Sequence, residues 1–135
     1  MGDNMQAKRL LQIGGVINFL FVIFHLSFWE LLNWYRGLES LSSDNRAVMQ
    51  VLNIHNAYVL GMFAFMSFAF ADTITTTKLG RSIGIGIATF WILRAVNQVV
   101  FWGITDVSSW VIITICLVTA ALYVIPSVRS QKKNG

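Results

Sequence analysis

Four apolar runs, each near the ~20 residues a helix needs to cross a bilayer, leave this chain of 135 residues few ways to fold. They cover residues 10–34, 47–71, 82–103 and 108–125. Charged residues make up 12% of the chain, about half the share usual in a soluble domain. The pieces between the runs are too short for a soluble domain. The expectation is an all-α integral membrane protein, an up-down four-helix bundle filling residues 1–135 as one transmembrane domain, because short loops make consecutive helices antiparallel neighbours. One proline and one cysteine exclude a disulfide scaffold and a proline-rich linker. The first run is too long for the core of a cleavable signal, so it reads as a spanning helix. Pro126 is expected to stop the fourth.

Basic residues orient the helices. Lys8 and Arg9 precede the first run, Lys78 and Arg81 lie between the second and third, and Arg129, Lys132 and Lys133 follow the fourth. The other two connections hold only Arg36 and Arg46. This bias predicts both termini on the cytoplasmic side of a cell inner (plasma) membrane. Trp29, Trp34, Trp102 and Trp110 near the outer ends match an interfacial aromatic belt. The net charge of +4 is therefore a topology signal and not a nucleic-acid surface.

His25, His55 and Arg94 each stand nine residues inside the outer end of a different run, measured from Trp34, Arg46 and Gly103. Nine helical residues span about 13 Å, and ionisable groups so deep are retained mainly where they face one another, a cavity or a ligand. Other polar residues share their faces. Gly14, Asn18 and His25 are spaced by four and seven along one stripe of the first helix. His55 heads a stripe with Met62 and Met66, and Asn56 heads its neighbour with Phe63 and Ser67. In the third helix Gly84, Ile87, Trp91, Arg94, Gln98 and Phe101 follow steps of three and four, flanked by Asn97. Glu30, five residues past His25 and on another side of the helix, is read as capping the mouth. The fourth helix, with Thr114, Cys116, Thr119 and Tyr123, reads as a packing helix. The candidate ligand-binding set is thus His25, His55, Arg94, Gln98, Asn97, Asn56, Asn18, Glu30 and Trp91, in one layer of the outer half. With polar groups in one half only, a through-channel is disfavoured.

The glycine pair Gly14-Gly15 followed by INFLFVIFHL resembles the first helix of DoxX-like small four-helix membrane proteins. That resemblance implies the four-helix fold and an association with membrane redox chemistry.

Three functions fit these residues. In the leading one the layer binds a haem, a quinone or another lipid-like ligand. His25 and His55 would be axial ligands of a b-type haem, Arg94 would pair with a propionate, or Gln98 and a histidine would bond quinone carbonyls. In the second, a histidine and Glu30 perform acid-base chemistry on a lipophilic substrate, with Arg94 as an electrostatic clamp. In the third, the polar residues hold helices in register, as in an accessory subunit without chemistry. Expected partners are the lipid bilayer, a lipophilic small molecule, and copies of the chain or a larger membrane complex. Nucleic acid is not among them.

Overall fold

The computed structural model describes residues 2–129 and is helical throughout, with no strand among the described residues. Its elements are α1 (Gly2–Leu26), α2 (Phe28–Leu31), α3 (Trp34–Gly37), α4 (Ser43–Ala69), α5 (Ala71–Thr76), α6 (Lys78–Trp102) and α7 (Val107–Arg129). Four of them, α1, α4, α6 and α7, are long and apolar enough to cross a membrane.

Helix α1 packs on α4 and α7, and α6 packs on α7. Between α4 and α6 there is no extensive backbone contact, and the Phe63 and Phe90 rings, 5.2 Å apart, bridge them. Contacts at the helix ends give the directions. The end of α1 meets the early part of α4 through His25 and Asn53, while its start meets α5 through the Lys8–Asp72 ion pair. The end of α6 meets the start of α7 through Gln98 and Ser109. Leu11, Leu60, Ile74, Ile87, Trp91, Cys116 and Tyr123 form the core.

Three boundaries depart from the sequence reading. The first run is not one helix to residue 34. Helix α1 ends at Leu26, and Asn33 takes the left-handed conformation (φ 48°, ψ 47°), which asparagine tolerates better than most residues. The chain turns back there and stacks Trp34 on Phe28 and Trp29. Residues 73–78, between the second and third runs, lie largely in the helix α5, and Thr77 then caps α6 by accepting from the Gly80 amide at 2.9 Å. Pro126 does not stop α7, which runs on to Arg129. A proline this near a helix end removes one hydrogen bond, to Leu122, and the buried ring packs where it stands. Ser42 caps the start of α4, its hydroxyl accepting from the Asn45 amide.

Candidate functional site

The polar residues expected in one layer form separate clusters. The first lies at the centre. Asn18 on α1 is fully buried, and its Nδ2 donates to the Gly14 carbonyl and to the Tyr123 hydroxyl, both at 2.8 Å. Its Oδ1 accepts from Trp91 Nε1 on α6 at 3.2 Å. Ser67 on α4 donates to the Phe63 carbonyl at 2.7 Å. Its only hydroxyl hydrogen being used, Ser67 accepts from the Tyr123 hydroxyl at 2.6 Å. One chain of hydrogen bonds therefore joins all four long helices, and each donor in it has an acceptor. Gly14 makes room for it, since a β-carbon there would lie 2.7 Å from the Tyr123 ring.

The second cluster sits in the last turn of α1. Asn53 holds His25 at two points, accepting from Nδ1 at 2.7 Å and donating to the His25 carbonyl at 2.8 Å. Asn56 donates to Nε2 at 2.9 Å. A neutral imidazole protonated at Nδ1 satisfies every one of these bonds. The His25 carbonyl is among those that a helix C-terminus leaves without an internal partner, so Asn53 also serves as a cap supplied by another helix. Phe28, with ring centroids 4.6 Å from His25, covers the imidazole.

The third cluster is Arg94, Gln98 and Ser109. Arg94 Nη2 donates to Gln98 Oε1 at 2.9 Å, and Gln98 Nε2 donates to Ser109 Oγ at 3.1 Å. The guanidinium lies 5.6 Å from the Trp102 ring centre, in cation–π range. Nη1 of Arg94 is buried and has no hydrogen-bond partner among the described residues. No carboxylate pairs with it among the described residues.

Other candidates are not brought in. His55 is exposed on α4, and its Nδ1 bonds only the Val51 carbonyl of its own helix at 2.8 Å. Asn53 and His55 are two residues apart, about 200° round the helix, so they look in opposite directions. A haem held between His25 and His55 does not fit these positions, since His25 has both nitrogens engaged and His55 faces away. Glu30 is exposed on α2, with no side-chain hydrogen bond or ion pair among the described residues. Asn97 is half-buried beside Arg94 and makes no hydrogen bond among them. Asn18 and Trp91 belong to the central clasp, two turns from His25.

The sequence reading passed over Asn53, Ser67 and Tyr123 as site residues. A signal for the first two exists: Asn53, Ala57, Leu60, Ala64 and Ser67 recur at steps of four and three and are the buried face of α4. His25→Ala strands both asparagines, and a loss of about 1–3 kcal/mol is expected in thermal or denaturant unfolding. His55→Ala should stay within about 0.5 kcal/mol. Equal losses from the two would contradict this placement.

An apolar groove of about 320 Å³ runs between α1 and α4, lined by residues including Val22, Leu26, Ala57, Gly61 and Met62. It reaches none of the polar clusters. No cluster of His, Cys, Asp and Glu suited to a metal ion occurs among the described residues. Set against known protein families, curated proteins and solved structures, the chain matches none.

Proposed function

We propose that this chain is a small multi-pass protein of the inner membrane, an up-down four-helix bundle with cytoplasmic termini, that binds a lipid-like molecule through an acidic or carbonyl-bearing head at Arg94. Large apolar side chains left exposed on every long helix, among them Phe19, Leu52, Val100 and Leu117, support insertion in a bilayer. The resemblance of α1 to DoxX-like proteins agrees with the bundle.

One observation carries the ligand reading: a buried guanidinium nitrogen of Arg94 without a partner. An ion at that depth is retained where something compensates it. Gln98 supplies one acceptor, and Asn97, one turn along the same helix, can add a donor as well as an acceptor. A quinone carbonyl or a long-chain carboxylate would supply the missing acceptor, and the loosely closed seam between α4 and α6 offers a path from the lipid. A ligand of this kind suits the geometry better than a haem with two histidine ligands.

Arg94→Met separates binding from structure. Stripped of lipid, the variant should be as stable as the parent or more so, because removing an uncompensated buried charge is often neutral or favourable. It should also lose the thermal protection that a short-chain quinone or a long-chain fatty acid gives the parent, by tenfold or more in apparent affinity. Protection that survives in Arg94→Met would refute the site.

A second reading rests on the central hydrogen-bond chain. Its complete satisfaction supports an accessory or scaffolding subunit whose polar residues set helix register. In that case Arg94→Met lowers stability and neither probe protects the parent. Acid-base catalysis gains no support, since Glu30 is exposed and bonds neither histidine nor Arg94 among the described residues.

A further inference from the structure

Among the described residues two more buried groups lack partners, at the end of the molecule opposite Arg94: Nη1 of Arg81 in the first turn of α6 and Oγ of Ser127 near the end of α7. Ser127 is 1% exposed. Gly84 brings their surroundings together. It lies one turn after Arg81, and a β-carbon there would collide with Ser127 Oγ. The early part of α6 thus presses directly on the end of α7 at Gly84 and Ser127, with Arg81 one turn earlier on α6.

The chemistry is one-sided. A guanidinium has donors only, and its charge is permanent. Among the described residues the sole ion pair is Lys8–Asp72, so no carboxylate serves Arg81. The start of α6 also contributes the positive end of a long helix. Ser127 Oγ packs against α6 at Gly84, one turn from Arg81, and one anionic acceptor reaching both would satisfy the two groups.

We propose that Arg81 and Ser127 form the seat of a phosphate group, that of an anionic lipid head at the face where α6 begins and α7 ends. A phosphate accepts from a guanidinium at two oxygens and has a third for a hydroxyl. Basic pockets between helices on the cytoplasmic side hold such heads. The lipid source rests on the membrane reading above. The site is distinct from Arg94 and from the apolar groove beside α4.

The test uses the full chain, washed free of lipid in detergent and reconstituted in nanodiscs of phosphatidylcholine with or without phosphatidylglycerol, with bound lipid counted by native mass spectrometry. Phosphatidylglycerol should be retained in preference, and Arg81→Gln should weaken retention about tenfold, the effect of losing one charge-assisted contact. Ser127→Ala, which keeps the charge and is small enough to fold, should weaken it severalfold. Exposed Lys78→Gln should change little. Inorganic phosphate in detergent is the second arm: protection equal to that of the lipid makes a free phosphate the source, and protection by the lipid alone makes the head group the source. Retention unchanged in both Arg81→Gln and Ser127→Ala, or lost equally in Lys78→Gln, overturns the seat. A chain that stays in solution without detergent would sink the membrane reading instead, and the inorganic phosphate arm then judges the seat alone.

Discussion

Gly80→Ala is expected to be among the most damaging single substitutions in the chain, destabilising it by about 3 kcal/mol or more, the upper end for overpacking. A β-carbon on Gly80 would collide with the Thr73 carbonyl oxygen and sit 2.5 Å from Ile74 Cα. Both obstacles are backbone, so no rotamer change relieves them. The same Thr73 carbonyl accepts from the Thr77 amide at 3.0 Å and from the Thr77 hydroxyl at 2.9 Å. Pushing it aside therefore also disturbs the cap on α6. A matched control lies in the same helix. A β-carbon on Gly86 meets nothing within 4 Å, and Gly86→Ala should raise stability by up to about 1 kcal/mol through helix propensity. Unfolding of both variants in detergent checks the contrast, and a Gly80→Ala protein as stable as Gly86→Ala would disprove the close approach of α5 and α6.

Asn18→Leu is the second large effect, expected to cost about 2–3 kcal/mol because it deprives Trp91 Nε1 of its acceptor and Tyr123 of one donor. Hydrogen bonds between membrane helices average only about 0.6 kcal/mol, so a larger loss is expected only where one side chain serves several partners. Asn18 serves Tyr123 and Trp91 on two other helices. A double-mutant cycle with Tyr123→Phe measures the connection. In the Asn18→Leu background Tyr123→Phe should cost less than in the parent, with a coupling of about 1 kcal/mol. Additive losses would mean that the bonds act singly and that the clasp does not join the helices as one unit.

These two effects also bear on the choice of function. A clasp satisfied within the protein needs no ligand, so its variants should lower stability equally with and without a quinone or fatty acid. Arg94→Met should do the reverse, leaving the ligand-free protein intact while removing the ligand's effect. The central and the outer clusters are thereby separable by experiment, although both are built from polar residues in apolar helices.

Much of the architecture was legible from the order of residues. Apolar length marks four helices able to span a membrane, since a continuous run of such residues has few soluble uses. Of the stripe Gly84, Ile87, Trp91, Arg94, Gln98 and Phe101, all are buried but the half-buried Arg94 and the exposed Phe101 at the helix end, because on one helix the angle between residues follows from sequence separation alone. Asn18 with Gly14, and the burial of Cys116, follow in the same way.

What spacing does not carry is the relation between helices. The depth assigned to His25 assumed a straight helix to Trp34, but the left-handed Asn33 and the fold-back of the aromatic segment put His25 in the last turn of α1. Its partners Asn53 and Asn56 lie on another helix, and the rotation of α4 turns His55 outward in their place. Tyr123 looked like packing because its hydrogen-bond partners lie 105 and 56 residues away along the chain. The sequence by itself determined the four long apolar helices and which of their residues share a face, because these are properties of a single helix, while the helix ends depended on contacts that spacing does not carry. Only the tertiary structure decided which polar groups satisfy one another, and therefore that Arg94, Arg81 and Ser127 have buried groups still without a partner.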